Sequence, residues 1–479
     1  MSRPIPVTDL VFLWADRRES PANVGVALLF QPPAGLSPAR ALEQVARAYR
    51  ATPPTAPFDV VPDSAIPGAA RWQTPDRIDP RFHVRTETLP PPGTVAQLNA
   101  RLAELHCDPL DRRRPLFEIH LIGGLDSGQF ALYVKSHHVT WDGRSALTRI
   151  FDSFGGTPGR IQPGFHAAEP AAAIPAGTPQ PEPLRSLLGQ AAALRELLDA
   201  LARRIEALRG RGGPGRGNAP FAGPPTRFNR PVVAERSLGQ FTLPLDQLRL
   251  VGHAFGGTIN DALLAVIDEG IHRYLASLGE RASEALVAMC PVASREAGDT
   301  AIGNKATTLF VRMGEPRSSV GRRLRDIVAS TAAAKAEMRA LSRDASYDFA
   351  LLVFGLTLAA KVFRLDPYVR PAVNYVVSNV GGVDGERYLG RSRLVAAYPI
   401  SMVADPVGLN FTTLSHDGRM DVGVVASRAA LDDPAPLVAE CLAAWERLKR
   451  ARPPQALVLR KAPPRKRSRT RRMPPIQRP

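Results

Sequence analysis

Apolar residues recur along this chain with two periods, and the two alternate. Short, mostly apolar runs bounded by Gly, Pro, Asp or Asn occupy positions 24–30, 82–85, 117–122, 130–134, 241–244, 286–292, 307–311, 373–382, 394–401, 409–414 and 420–425. They are too short for buried helices and rich in Val, Phe, Leu and Thr, so they read as strands. Between them, apolar positions three and four apart predict helices at 37–50, 94–106, 145–151, 245–254, 259–275, 320–341, 347–363 and 434–450. A short helical turn at 9–14 has Thr8 as its cap. Interleaved strands and helices give an α/β fold with mixed strands in two halves.

The pattern lapses twice. Residues 154–183 and 210–225 hold many Gly, Pro and Ala with no period, and read as linkers. Between them, Leu184, Leu187, Leu188, Leu194, Leu197, Leu198, Leu201, Ile205 and Leu208 keep helical spacing. That helix is expected to pack its apolar stripe on the body; lying on a membrane is the other reading. The chain therefore divides into an N-terminal domain at 1–155, a linker at 156–229 with a bridging helix at about 184–208, a C-terminal domain at 230–450 and a tail at 451–479.

Charge changes the picture mainly at the tail. Ten Arg and Lys and no acid follow Ala451; taking them from the formal +17 leaves +7 for the body. This proline-rich segment is expected to be disordered. Attraction to an anionic membrane, worth about 1 kcal/mol per cation near the surface, is favoured over nucleic acid. Cys107, Cys290 and Cys441 show no CxxC and no metal-ligand spacing. A reducing compartment is therefore expected, with neither a disulfide framework nor a metal site. The start has no apolar signal core, and no apolar run is long enough to span a bilayer.

The candidate chemistry sits between the strand at 130–134 and the helix at 145–151. There the chain reads Ser136-His137-His138-Val139-Thr140-Trp141-Asp142-Gly143. Imidazole, with an ordinary pKa of ~6.5, can take and return a proton near neutrality. Gly143 permits a tight turn and leaves room for substrate. HHxxxDG should arise by chance in only about one in a thousand chains of this composition.

HHxxxDG is the signature of the bacterial wax ester synthase/acyl-CoA:diacylglycerol acyltransferase family, which this chain resembles. That family belongs to the CoA-dependent acyltransferase superfamily, with chloramphenicol acetyltransferase and peptide-synthetase condensation domains. Further blocks carry the resemblance over roughly residues 4–449, linkers excepted. Residues 109–118 resemble PLDxxRPLWE, with Phe117 for the usual Trp. Thr226 to Asn229 resemble TxxN, Asn260-Asp261 the ND motif, Pro291 to Arg295 PVSxR, and Gly303-Asn304 the GN block. Ser378 to Gly382 resemble SNVPG, with Gly381 for the proline. The opening turn and strand also resemble the family's start, although Ala22-Asn23 replace Met-His.

The resemblance implies two chloramphenicol-acetyltransferase-like domains with mixed sheets and a tunnel between them, the His motif at its middle. It implies O-acyl transfer from acyl-CoA to diacylglycerol or a long-chain alcohol, without a covalent enzyme intermediate. His138 is the expected general base and His137 an orienting residue. Trp141 would be tunnel wall. Asp142 would be structural, paired with Arg295 behind His138. Asn260 and Asn379 are oxyanion or tunnel candidates. Pro115, Leu116, Glu118 and Asp261 are expected to be structural, Asp261 being explicable as a helix-start acid alone. His106 and His120 are expected to be ordinary histidines. No metal and no cofactor beyond acyl-CoA as co-substrate is expected. The expected location is cytoplasmic, at the inner membrane face or a lipid-droplet surface. Two other classes fit the pattern: a condensing acyltransferase using a carrier-bound thioester, and a non-enzymatic lipid-droplet-binding protein.

Overall fold

The computed structural model describes residues 3–5, 10, 12–14, 16–64, 66, 70–140, 143–167, 218–293, 306–339, 349, 353, 355–357, 360, 363, 365 and 368–452. The bridging helix expected at 184–208 and the tail from residue 453 lie outside the described residues, as do the expected helix cap Thr8 and most of the helix expected at 347–363.

The strands are β1 (Arg3–Pro4), β2 (Asn23–Gln31), β3 (Val61–Pro62), β4 (Arg71–Gln73), β5 (Val84–Thr88), β6 (Phe117–Gly123), β7 (Phe130–His137), β8 (Arg236–Pro244), β9 (Val287–Ala293), β10 (Ala306–Arg312), β11 (Tyr375–Val383), β12 (Tyr388–Leu389), β13 (Ser392–Ile400), β14 (Leu409–His416) and β15 (Arg419–Ser427). The helices are α1 (Pro38–Ala51), α2 (Pro80–His83), α3 (Val95–Cys107), α4 (Gly143–Asp152), α5 (Leu245–Ala254), α6 (Ile259–Ser277), α7 (Val320–Arg339) and α8 (Ala435–Arg450). Two six-stranded mixed sheets result, ordered β12-β13-β2-β7-β6-β5 and β10-β9-β11-β14-β15-β8. In the first, only β5 and β6 run parallel; in the second, β11 is parallel to both β9 and β14. The fold is thus two α/β domains with mixed sheets, as expected.

Two expectations are corrected. Phe82 and His83 belong to α2, which Asp79 caps by accepting the Arg81 N–H at 2.9 Å, and the strand starts only at Val84. The run at 394–401 lies in the stretch 230–450 that was expected to form the C-terminal domain. Instead β13 pairs antiparallel with β2, from Arg393 opposite Gln31 to Ile400 opposite Gly25, and so belongs to the first sheet. A bulge between Leu394 and Ala396 shifts the alternation by one, so that Leu394 and Ala397 join Val26, Leu28 and Phe30, while Ala396 and Ile400 join Leu98 of α3 and Leu238 of β8. Strand periodicity sets which side chains share a face, not which sheet receives the strand.

The two sheets meet where β13 crosses β15. A Cβ added at Gly423 would lie 1.8 Å from the Pro399 carbonyl oxygen, so only glycine permits this approach. Beside it, the buried Asp421 accepts the Ala397 N–H at 2.7 Å and the Thr242 hydroxyl at 2.6 Å. A second bridge is α4, whose Leu147, Ile150 and Phe151 pack in one cluster with Val380 and Val383 of β11 and Leu414 of β14. That helix follows the His motif, so the motif turn lies where the first sheet leans on the second.

Candidate functional site

β7 lies between β2 and β6, and all eight of its residues are buried. Side chains on one face join the cluster under α1 and α4, and those on the other meet α3 and the second half. A strand covered on both faces needs an apolar run, which Phe130 to Val134 supply. It ends beside the Leu116 carbonyl, which accepts the Ser136 hydroxyl and the His137 N–H, each at 3.1 Å. Pro115 and Leu116 are therefore strand-framing residues, and both are buried.

A tight turn follows. The Thr140 N–H donates to the His137 carbonyl at 3.0 Å, and the Val139 N–H donates to His137 Nδ1 at 3.1 Å. Nδ1 is thereby an acceptor, so the ring proton of His137 sits on Nε2. That nitrogen stands 3.4 Å from Asp16 Oδ2, and the His137 side chain is only 1% exposed. His138 turns the other way. Its N–H donates to the Ala22 carbonyl at 2.9 Å, and its half-buried ring stacks on Phe12 with centroids 4.1 Å apart and planes 10° apart.

Asp16 holds several of these parts at once. Its Oδ1 accepts the Ala22 N–H at 3.0 Å, and its Oδ2 accepts Arg112 Nη2 at 2.9 Å. Burial pushes its pKa up, but His137, the Ala22 N–H and Arg112 outweigh that and hold it at about 2. Phe12, Asp16 and Arg112 were not singled out from the sequence. The one available signal was an aromatic in the opening helical turn with a carboxylate four residues on, and that spacing is common.

Behind the turn lies buried charge. Glu118 stands directly opposite Lys135 in the β6–β7 pair, with Lys135 Nζ 3.4 Å from its carboxylate and fully buried. His120 Nε2 at 3.1 Å and Arg85 Nη2 at 3.3 Å complete the cluster. Burial pushes the Glu118 carboxyl up, but these partners hold it at about 2, while burial pushes the Lys135 ammonium below its usual value. This is a structural setting for Glu118, and His120 is part of it. His106 is buried beside the Tyr133 hydroxyl at 2.8 Å, and desolvation first, then the Lys135 and Arg236 charges, lowers its pKa to about 3.

In the second half the structure joins two candidates directly. Asn379 Nδ2 donates to Asn260 Oδ1 at 2.7 Å, and Asn379 Oδ1 accepts the Gly381 N–H at 3.0 Å. Asn260 therefore keeps its own amide N–H groups as donors. Gly381 has φ +90°, a conformation closed to the proline of the family pattern. Asp261 is a helix-start acid. Its Oδ2 accepts the Thr258 N–H and hydroxyl at 2.7 and 2.8 Å, and its Oδ1 accepts the Thr331 hydroxyl at 2.7 Å.

Gly143 opens α4. Trp141, Asp142 and Arg295, and with them the ion pair expected between the last two, lie outside the described residues. Among the described residues no group of three or more His, Cys, Asp or Glu could hold a metal ion, and no single helix is long and apolar enough to cross a membrane. An open groove of about 1200 Å³ lies away from the His turn, lined by Arg47, Arg50, Arg81 and Glu87 among others.

Residues 6–263 match the wax ester synthase/diacylglycerol acyltransferase catalytic domain, and residues 302–449 match the C-terminal domain of the same family. A protein of Mycobacterium tuberculosis described as a candidate diacylglycerol O-acyltransferase is 30% identical over 472 residues, covering 90% of this chain and 94% of its own. One of Mycobacterium bovis described in the same way is 32% identical over 457 residues, covering 90% and 88%. Among solved structures, the wax ester synthase/diacylglycerol acyltransferase from Marinobacter aquaeolei VT8 superposes with a TM-score of 0.72 at 26% identity, covering 93% of this chain and 98% of that one. The first condensation domain of the calcium-dependent antibiotic synthetase shares the fold, with a TM-score of 0.54 at 15% identity over 95% of this chain and 98% of that one. With both family domains matched and relatives aligned over nine-tenths of its length, this chain belongs to the wax ester synthase/diacylglycerol acyltransferase family.

Proposed function

We propose that this chain transfers a long-chain acyl group from acyl-CoA to the hydroxyl of diacylglycerol or a long-chain alcohol, with His138 as general base. The observation that carries this reading is the setting of His138. Its ring is half-buried at the end of the first sheet's buried strand β7, lies flat on Phe12, and follows a main chain tied to Ala22. A base so held can take the acceptor's proton as the hydroxyl oxygen attacks the thioester carbon. It can then give that proton to the departing CoA sulfur, so the C–S bond breaks without forming a thiolate in water. Such general-base help is worth roughly 10²–10⁴-fold. Acyl-CoA and the acceptor meeting in a tunnel between the two domains would supply further rate by orientation.

The Asn260–Asn379 pair is the proposed donor to the oxyanion of the tetrahedral intermediate, a contribution typically worth 10²–10³-fold. The names of the mycobacterial and Marinobacter relatives support the substrate class. The test uses purified full chain with palmitoyl-CoA, and hexadecanol or dipalmitoylglycerol in parallel, following free CoA and the ester product together. CoA release that requires an acceptor and matches ester formed is the expected result. No acceptor-dependent release with either alcohol overturns the reading.

A further inference from the structure

The N-terminal strap around Asp16 lies outside the His motif, yet it grips the main chain on both sides of His138. Ahead of the ring, the His138 N–H is held by the Ala22 carbonyl, and the Ala22 N–H is in turn held by Asp16 Oδ1. Behind it, the Val139 N–H is held by His137 Nδ1, and His137 Nε2 faces Asp16 Oδ2. One carboxylate therefore reaches both peptide groups that flank the proposed base, each through one intermediary. Arg112 ties that carboxylate to the Leu13 carbonyl, donating to it at 2.6 Å. The Asp16 N–H closes on the Phe12 carbonyl at 3.1 Å, and Phe12 supplies the face on which the His138 ring lies.

From this geometry we infer that Asp16 is a positioning residue for the reaction, acting through His137 and Ala22, and that Phe12 fixes the His138 ring plane. The inference rests on His138 being the base. The physical point is tautomer control. The Asp16 carboxylate only accepts, so it selects the His137 tautomer with hydrogen on Nε2, and that tautomer alone leaves Nδ1 free to accept the Val139 N–H. Asn at this position has one oxygen and one N–H₂ group for the two places that the carboxylate fills. With the N–H₂ toward Nε2 and Arg112, His137 would carry its hydrogen on Nδ1, donor to donor with the Val139 N–H; with the N–H₂ toward Ala22, the Ala22 N–H would lose its acceptor. Either way the main chain beside His138 loses one anchor. Misplacement of a base by about 1 Å can cost on the order of 10²-fold in rate. The stacked ring adds a smaller part, because a π-face stabilises the positive charge that the imidazole gains as it takes the proton.

The test measures kcat and KM for palmitoyl-CoA with hexadecanol in the full-length Asp16→Asn, Phe12→Leu, His138→Ala and Asp16→Asn/His138→Ala proteins, alongside thermal midpoints. Asp16→Asn should lower kcat by about 10²-fold, leave KM within about twofold, and add nothing to His138→Ala, since residues acting as a unit are not additive. Phe12→Leu should lower kcat by a few-fold at unchanged KM. A wild-type kcat in Asp16→Asn, or a loss that appears equally in KM and adds fully to His138→Ala, overturns the inference. If Asp16→Asn does not fold, Phe12→Leu decides, and a wild-type kcat there overturns it. Full activity in His138→Ala would instead overturn the general-base reading, and the two failures are told apart.

Discussion

Glu118→Gln removes the carboxylate paired with a fully buried ammonium, and the structure fixes what that should cost. Lys135 Nζ lies 3.4 Å from Glu118 Oε2, with side-chain exposures of 0% and 9%. Its partners hold the Glu118 carboxyl at about 2 against an ordinary 4.5. At 1.36 kcal/mol for each pH unit, that difference is roughly 3 kcal/mol of stabilisation at neutral pH. The buried Lys135 works in the opposite sense, since its pKa is pushed down, so the pair as a whole gives less. Breaking it is another matter, because the ammonium is left buried without its counter-charge, which costs about 3–5 kcal/mol. Because the folded pKa is depressed, the contribution is present above about pH 4.5 and fades as pH falls toward 2. Urea unfolding at pH 7 and pH 3 would measure this. Glu118→Gln should lose about 3–5 kcal/mol at pH 7, and roughly half that gap should close at pH 3. Glu118→Gln/Lys135→Met should recover a large part, because no charge is stranded. A Glu118→Gln protein within about 1 kcal/mol of wild type, or a gap that widens in acid, would mean that Glu118 does not neutralise Lys135. Lost turnover at full stability would move Glu118 from the scaffold into the chemistry.

Three further outcomes are expected. Asn379→Ala should lower kcat by about 10²–10³-fold with the KM for acyl-CoA little changed, if its partner Asn260 donates to the oxyanion; steady-state kinetics checks it. Asp261→Ala should cost about 1–3 kcal/mol, from the lost half of the capping box and the lost bond from the Thr331 hydroxyl, which falls back on the Val328 carbonyl, while turnover of the folded protein holds; the urea midpoint reads this. Ending the chain at Ala451 should weaken binding to anionic vesicles, and salt should weaken the intact chain's binding likewise, with turnover of a soluble short-chain substrate unchanged.

Local features of this fold were readable because local physics decides them. The run from Phe130 to Val134 had to be a strand covered on both faces, and Thr258 with Asp261 had to start a helix. The sheet that receives β13 was not readable, because an alternating strand suits either one, and the partner that takes it, β2, lies near the other end of the chain. The His137–His138 turn was legible as a motif, but its support was not. Asp16 and Arg112 are ninety-six residues apart, and nothing in either segment announces the other. Asn23 departs from the family pattern, yet its side chain donates to the His106 and Asp108 carbonyls, and the neighbouring Ala22 works through its backbone. A main-chain role leaves no trace in residue type.

The general-base assignment is tested most directly by His138→Ala at saturating palmitoyl-CoA and hexadecanol, with the Kd for palmitoyl-CoA measured on the same protein. A base acts in the transition state rather than in the bound complex. Ester formation in His138→Ala should be slowed by about 10²–10⁴-fold with Kd within about twofold of wild type. Turnover close to wild type in a folded His138→Ala protein would contradict it.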